Sequence, residues 1–271
     1  LTAGHVVSDT TSLSFGIGGE PYTAKSWISH PKWDGDLLKG YDIGLVELDA
    51  AVPGITPAER YTGSDELGEV GTSVGFGMTG TGLTGAVDFD GEKRAGRNDI
   101  DVWLRTPGRT PRVFMSDFDN PAGTENVWGS NEPLPLEYLI APGDSGGGVF
   151  ANFGGSELLI GIHSFGAAYD GVVDSDYGDI SGHTRVSSFN KWIDKVLGGT
   201  DDGGGGNGGG KPDNGGGGGN GNGKGGGKPN SEFVVSLAGL TATPVPEPST
   251  LAMLALCGLC LVGRCWRKRQ A

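Results

Sequence analysis

Residues 142–147 read Pro-Gly-Asp-Ser-Gly-Gly, and a strand-like run, residues 148–151, follows them. Glycines on both sides of Ser145 allow a sharp backbone turn and close approach by another group. They also let the N–H groups of Gly143 and Ser145 converge on one oxygen atom. Taken alone, these six residues predict only a turn that presents a serine.

Short strand-like runs continue from this turn over most of the first 197 residues, separated by clusters of Gly, Pro, Asn and Asp. Residues 1–7, Leu-Thr-Ala-Gly-His-Val-Val, also have the pattern of a buried strand. Many short strands with frequent turns are typical of an all-β sandwich or barrel. The clearest of the other runs are residues 43–48, 72–76, 99–104, 148–151 and 158–163.

One helix is predicted near residue 190. Ser187 or Ser188 can cap a run that places Phe189, Ile193 and Val196 on one face. The glycines at 198 and 199 then end the helix.

Glycine supplies 54 of the 271 residues, and its excess is local. Residues 198–230 contain 19 glycines in 33 positions and no apolar residue except proline. Such a stretch buries too little apolar surface to offset the entropy of ordering it. It predicts a flexible linker with a mean span on the order of 30 Å.

The C-terminal part has a different character. Residues 231–243 are a short strand-prone segment. Residues 244–271 combine Val-Pro-Glu-Pro-Ser-Thr (245–250), an apolar run (251–263) and a basic end. The apolar run is short for a span of roughly 20 residues. The basic cluster predicts a cytoplasmic C-terminus with the large domain outside.

Cysteine is confined to this tail, at positions 257, 260 and 265, so residues 1–256 must fold without a disulfide. The Cys-x-x-Cys spacing leaves two interpretations open, a metal site or small residues compatible with a membrane. Because no initiator Met or signal peptide precedes Leu1, we expect the natural chain to begin earlier.

The formal net charge of −13 argues against a nucleic-acid partner, whose phosphates would be repelled. Solubility is the simplest reason for the acidity.

Several motifs occur in one order along residues 1–197, and together they resemble the chymotrypsin/trypsin family of serine proteases. The resemblance implies an all-β double barrel with a C-terminal helix, with barrel 1 at about 1–65 and barrel 2 plus the helix at about 66–197. By the same resemblance, we expect the opening strands of barrel 1 to precede Leu1 in the natural chain. The motifs are residues 1–7 (LTAGHVV), 28–33 (ISHPKW), 41–48 (YDIGLVEL), 74–77 (VGFG), 143–147 (GDSGG), 161–166 (GIHSFG), 184–186 (TRV) and 192–193 (WI).

The same resemblance implies hydrolysis of peptide bonds through an acyl-enzyme, without metal or organic cofactor. His5 matches the general base and acid, Asp42 the carboxylate that orients it, and Ser145 the nucleophile. Gly143 and Ser145 match the donors of the oxyanion hole. Ser164 matches a serine that hydrogen-bonds the aspartate.

Asp144 matches an acidic residue that in many members pairs with a freed N-terminal amine. For specificity, the resemblance assigns Leu139 to the bottom of the pocket, Ser164, Phe165 and Gly166 to the strand along the substrate, and Gly166 and Gly182 to open pocket walls. An apolar and open pocket predicts cleavage after Phe, Tyr, Leu or Met. The nearby Glu137 and the Ala141 that replaces a pocket cysteine leave cleavage after Lys or Arg as the alternative.

Other polar residues compete for these roles. His30 precedes a proline and is interpreted as a loop residue, and His163 and His183 as structural. Asp34 and Asp36 compete with Asp42, but neither opens an apolar strand. Four aspartates form an acidic loop: Asp170, Asp174, Asp176 and Asp179. Their spacing is that of no known calcium loop, so the loop is interpreted as solvated rather than as a calcium site.

Residues 244–271 resemble the PEP-CTERM sorting signal of bacteria. This implies export across the inner membrane, with transient anchoring there, cleavage near Pro-Glu-Pro by an exosortase-type enzyme, and delivery to the cell surface. The partners are then protein or peptide substrates and the processing enzyme. The alternative from another class is a catalytically inactive protease-fold binding module displayed on the surface. A periplasmic quality-control protease would carry a peptide-binding domain after the barrel, where this chain has a glycine-rich stretch.

Overall fold

The computed structural model of the protein describes residues 1–105, 109–198 and 241–244. Its elements follow in chain order. The α-helices are α1 (Gly4–Val7) and α2 (Asn190–Val196), and 3-10 turns cover Leu37–Lys39 and Val186–Phe189. The strands are β1 (Ser14–Ile17), β2 (Glu20–Ser29), β3 (Gly44–Leu48), β4 (Val70–Gly75), β5 (Thr79–Thr81), β6 (Gly85–Asp88), β7 (Arg94–Asp99), β8 (Val102–Leu104), β9 (Val113–Asp117), β10 (Gly148–Phe153), β11 (Ser156–Ala168), β12 (Ile180–Arg185) and β13 (Thr241–Pro244).

The strands form antiparallel sheets. A three-stranded sheet has the order β1-β2-β3, and a larger sheet has the order β7-β4-β10-β11-β12-β9-β8. Strands β5 and β6 form a separate hairpin, and β13 pairs with β11. The predicted all-β class with a C-terminal helix is confirmed. The proposed boundary near residue 65 stays a prediction.

A hydrophobic cluster joins the start of the described chain to its C-terminal helix. Ala3 and Ile43 are fully buried in this cluster together with Phe189 and Ile193. The short segment that carries His5 and the strand that follows Asp42 are thereby fixed against the same core.

The buried-strand prediction for residues 1–7 is wrong. Thr2 forms an isolated bridge with Gly44, but Gly4–Val7 turns into the short helix α1. The N–H and Oγ of Ser8 both donate to the carbonyl of Gly4, at 3.0 and 2.8 Å, and close this turn. The apolar spacing of so short a run fits either structure, and local hydrogen bonds decide it.

The run predicted at residues 99–104 is not one strand. Strand β7 ends at Asp99 and β8 begins at Val102. Between them, Ile100 donates to the carbonyl of Glu69, whereas Asp101 donates to that of Met115. The backbone therefore changes partners at residues 100 and 101.

Helix α2 forms where predicted, but its start differs. The hydroxyls of Ser187 and Ser188 donate to Glu66 and to the carbonyl of Pro111, so neither caps the helix. Val196 is 40 % exposed and leaves the buried face. Gly198, with a φ of +82°, ends the helix as predicted.

Strand β11 has two edges, and three strands use them. Because β10 and β12 both pair with residues Gly161 and Ile162, they lie on opposite edges. Because β12 and β13 both pair with residues 165–167, they also lie on opposite edges. Strand β13 therefore extends the same edge of β11 that β10 occupies.

Most of the predicted linker and the sorting tail lie outside the described residues, as does the apolar run 251–263. Across the described ranges, no helix has the length and apolar character needed to cross a membrane.

Candidate active site

Ser145 lies in a tight turn between β9 and β10 whose glycines have left-handed backbones. Gly143 has a φ of +98° and Gly146 a φ of +79°, which other residues rarely adopt. A Cβ atom on Gly146 would also collide with the side chain of Thr2. The N–H of Gly146 donates to the carbonyl of His163 in β11 at 3.0 Å. The turn is thus fixed against the edge of β11.

The carboxylate of Asp144 anchors the same turn from inside the protein. It is 4 % exposed and accepts hydrogen bonds from the N–H of Gly77 at 2.8 Å and of Ala141 at 2.9 Å. The hydroxyl of Tyr138 donates a third bond at 2.6 Å. Burial and the nearby Asp144 charge hold the pKa of Tyr138 well above its usual value. The side chain expected to pair with a terminal amine is therefore bound by internal donors, and no motif in the sequence pointed to Tyr138.

His5 connects Ser145 to Asp42. Its Nε2 lies 2.7 Å from Ser145 Oγ, and its Nδ1 lies 2.7 Å from Asp42 Oδ2. The backbone N–H of His5 also donates to Asp42 Oδ1 at 2.8 Å. Asp42 thus fixes both the ring and the backbone of the residue that contacts the serine.

Asp42 is completely buried, and further donors satisfy its oxygens. The hydroxyl of Ser164 donates to Asp42 Oδ2 at 2.6 Å, and that of Thr184 donates to the Asp42 carbonyl at 2.8 Å. A buried carboxylate is costly unless it is hydrogen-bonded, and here it is bonded on each side. The arrangement can take a proton from a hydroxyl through the imidazole and stabilise the resulting positive charge.

Comparison with known families gives two matches. Residues 115–193 match the family model Trypsin, and residues 244–270 match the PEP-CTERM protein-sorting motif. The chain carries a trypsin-like domain and a PEP-CTERM tail. Among curated proteins, none matches the chain.

The Trypsin match contains the Ser145 turn, β10, β11 and β12, whereas His5 and Asp42 precede it. A trypsin-like domain supports a serine protease-type hydrolase with peptide substrates. The sorting motif supports export, exosortase recognition and cell-surface sorting in bacteria.

The other histidines, His30, His163 and His183, make contacts of their own. His30 stacks on Tyr41, with ring centroids 5.0 Å apart. His163 and His183 are buried, with their Nδ1 atoms 3.1 Å apart, and His163 Nε2 lies 3.3 Å from the carbonyl of Val74. Burial lowers the pKa of His163 to about 4 and that of His183 well below its usual value. Both imidazoles are then neutral, and the Nδ1–H of one ring donates a hydrogen bond to Nδ1 of the other.

The competing acids bind other partners. Asp34 and Asp36 form ion pairs with Lys39 at 2.6 and 3.3 Å, whereas Asp42 contacts His5.

Three carboxylates of the acidic loop lie within 4.8 Å of one another, those of Asp174, Asp176 and Asp179. Asp179 already accepts from the N–H groups of Asp174 and Ser175, at 3.1 and 2.8 Å. Burial raises the pKa of Asp179 to about 7. Asp170 accepts a hydrogen bond from the N–H of Val172 at 2.8 Å.

The predicted specificity pocket differs from the expected open one. The ring of Phe165 fills the space beside Gly182, and a Cβ on Gly166 would lie 2.9 Å from Val173. Neither glycine opens a wall, because neighbouring side chains occupy the space that each leaves. Leu139 is 8 % exposed and lines a cleft of about 290 Å³ together with Glu137. Both carboxylate oxygens of Glu137 accept backbone hydrogen bonds, from Asp119 and Leu134.

Hydrogen bonds hold the segment around Ala141. The N–H of Ile140 donates to Ser181 Oγ, and Ser175 Oγ donates to the carbonyl of Ile140, both at 3.1 Å. These bonds tie the segment to β12 and to the acidic loop without a cysteine.

An apolar cluster beside His5 was not anticipated. Phe165 is fully buried in it with Leu37, Met115 and Ile180, and Trp33 packs against it. The Trp33 ring lies 6.5 Å from that of His5. The His-Pro-x-aromatic motif at residues 30–33 was the available signal.

Proposed function

We propose that the trypsin-like domain is a serine endopeptidase that uses Ser145 as nucleophile, His5 as general base and acid, and Asp42 as the orienting carboxylate. One observation carries the proposal. Two hydrogen bonds of 2.7 Å link Ser145 Oγ, the His5 ring and Asp42 in series. Three side chains remote in sequence converge with the polarity that acyl transfer needs.

In the proposed reaction, Ser145 Oγ attacks the carbonyl carbon of a peptide bond while its proton passes to His5 Nε2. The N–H groups of Gly143 and Ser145 stabilise the negative oxygen. His5 then gives the proton to the leaving amine as the C–N bond breaks, which leaves an ester on Ser145. Water, deprotonated by His5, hydrolyses this ester and restores the hydroxyl.

The proposed substrate is an extended peptide that lies along the edge of β11 at Ser164, Phe165 and Gly166. Strand addition supplies backbone hydrogen bonds, and pockets for alternate side chains supply selectivity. Leu139 supplies apolar surface to its cleft, and both oxygens of Glu137 in the same cleft already accept backbone hydrogen bonds. The proposed preference is therefore cleavage after Phe, Tyr, Leu or Met, with cleavage after Lys or Arg as the alternative. No metal or organic cofactor is needed for these steps.

The proposed route of the protein follows from its tail. The apolar run 251–263 anchors the exported chain transiently in the inner membrane, and the basic residues after it stay in the cytoplasm. Cleavage by an exosortase-type enzyme near residues 246–248 then frees the domain at the cell surface.

Alanine substitutions test the proposed triad. Ser145→Ala and His5→Ala should each remove nearly all peptide turnover, by a factor on the order of 10⁶, and the double variant should lose little more. The reason is that nucleophile and base act as one unit, so either loss disables both. Turnover of a chromogenic peptide by the full-length protein measures this. Losses that multiply in the double variant would contradict the assignment.

A further inference from the structure

A second segment of the chain lies beside the proposed active site. Strand β13, residues Thr241–Pro244, pairs antiparallel with the edge of β11. The register sets Thr241 opposite Ala168 and Pro244 opposite Phe165. The chain thus adds its own strand to the edge where the proposed function needs a peptide.

The position of β13 along this edge is close to Ser145. The turn that carries Ser145 bonds to His163, through the N–H of Gly146, and Pro244 pairs two residues further along β11. Two residues of a strand span about 7 Å. Because β13 runs antiparallel to β11, its C-terminal end is the one directed toward Ser145.

The side chains of β13 fit an interior and an exterior face. Ala242 is half-buried and packs against the apolar cluster that contains Leu37 and Phe165, whereas Thr241 and Thr243 are exposed. Pro244, on the same face as Ala242, is exposed, so Ala242 is the residue of the strand that meets the core. Ala242 is small enough to enter beside Trp33 and Leu38, which pack on the same cluster.

The backbone chemistry of β13 also suits this edge. Bonded and non-bonded pairs alternate along an antiparallel ladder, and Pro244 has no N–H to donate. The Phe165–Pro244 pair is therefore the non-bonded position, and the bonds are expected between Gly166 and Thr243. Both residues of that pair carry an N–H, so the proline removes no hydrogen bond from the ladder.

We propose that Thr241–Pro244 is an intramolecular pseudosubstrate, which occupies the peptide-binding edge of β11 and holds the domain partly inhibited. That the segment inhibits the domain rests on the proposed function, whereas the pairing of the segment with β11 does not. Residues 199–240, which include the predicted linker (198–230) except its first residue, connect the segment to α2. A linker of this kind gives an effective concentration on the order of millimolar, well above that of a dilute peptide substrate.

The segment ends at Pro244, which is also the first residue of the sorting motif at residues 244–270. Any event that pulls this motif away, such as its capture by the processing enzyme, would draw β13 from the edge. Because cleavage is expected after Pro244, the processed chain keeps Thr241–Pro244, and the segment returns to the edge once the motif has been removed.

Ala242→Asp in the full-length protein tests the proposal, because it would bring a charge into the apolar cluster. Asn222→Asp is the matched control, since it adds the same charge within the linker. A segment that competes in cis raises the apparent KM and leaves kcat unchanged. Ala242→Asp should therefore lower the KM for a peptide about two- to tenfold at constant kcat, as expected when the effective concentration is similar to or above the segment's own Kd. The control should keep the wild-type KM.

Hydrogen exchange of the β11 edge gives a readout that does not need activity. The N–H of Gly166 should be protected in the wild type and in Asn222→Asp, and should exchange faster in Ala242→Asp. Equal exchange and equal KM in all three proteins would overturn the proposal. If no protein turns over peptide, the proposed function fails, and the exchange rates alone still decide whether the segment is seated. Cleavage of the wild-type chain after residue 244, absent in Ser145→Ala, would show a substrate instead of a pseudosubstrate.

Discussion

At the scale of single residues, the carboxylates of Asp42 and Asp34 have different environments. The first is proposed to act in the reaction, and the second forms a surface ion pair. Asp42 is buried and bonds to the His5 ring, whereas Asp34 is exposed and bonds to Lys39. Asp42→Asn should lower kcat by about 10⁴, because the amide favours the wrong imidazole tautomer. Asp34→Asn is the control and should leave kcat near the wild-type value. Peptide turnover measures both, and a loss below tenfold in Asp42→Asn would contradict the role of Asp42.

Tyr138 is expected to position the turn that carries Ser145. Its hydroxyl is one of three donors to the buried Asp144 carboxylate, and a net hydrogen bond to a charged group contributes about 1.5–3 kcal/mol. Tyr138→Phe should lower kcat at least about tenfold with little change in KM, since the turn that presents the Ser145 N–H loosens.

Tyr177→Phe controls for the loss of a hydroxyl, because that ring packs on Phe118 outside the turn. Steady-state kinetics on both variants decides the matter. Equal kcat values in the two variants would show that the backbone donors to Asp144 suffice.

Much of this candidate site could be predicted from the sequence, but the residues that hold its turn and pocket could not. His5, Asp42, Ser145 and Ser164 lie in ordered local motifs, so their types and order could be read without coordinates. Tyr138 could not be found in this way, because its role depends on where a loop side chain lies relative to Asp144. The prediction of an open pocket wall at Gly182 was wrong for a similar reason. The ring of Phe165 fills that space, and a sequence does not report side-chain rotamers.

At the scale of elements, a buried ion pair joins β12 to the segment before β4. Glu66 and Arg185 are nearly inaccessible and bind through two hydrogen bonds, of 2.9 and 2.7 Å. Glu66→Gln should destabilise the fold by about 3–5 kcal/mol, because the Arg185 charge stays buried without its partner. The free energy of unfolding in urea measures the loss.

Asp90→Asn is the matched control for this prediction, since it breaks the ion pair with Arg94 at the exposed end of β7. Solvent screens such a pair, so the free energy of unfolding should change little. A similarly small loss in Glu66→Gln would mean that water or another acceptor replaces the carboxylate beside Arg185.

Short elements were the hardest to predict. The strands that form the large sheet were recognisable because their apolar runs and turn residues agree. Helix α1 has only four residues, and its conformation depends on Ser8 and Asp42 rather than on its own pattern. Strand β13 has no apolar alternation beyond Ala242, so its pairing follows from an open edge of β11 elsewhere in the chain.

At the scale of the whole molecule, the order of domain, linker and sorting motif predicts a processed protein. The motif spans residues 244–270, and cleavage is expected between Val245 and Thr250. Intact-mass measurement on protein released from the bacterial surface should give a C-terminus in this range. Mature protein that still ends at Ala271 would contradict processing.

The central claim is that Ser145 is an activated nucleophile, and covalent labelling tests it most directly. A fluorophosphonate added to the folded full-length protein should attach to Ser145, as located by mass spectrometry of the labelled peptide. Ser145→Ala should not be labelled, and His5→Ala should be labelled far more slowly, because the base that activates the hydroxyl is gone. Absence of label on the folded wild-type protein would contradict the account and favour an inactive, surface-displayed binding module.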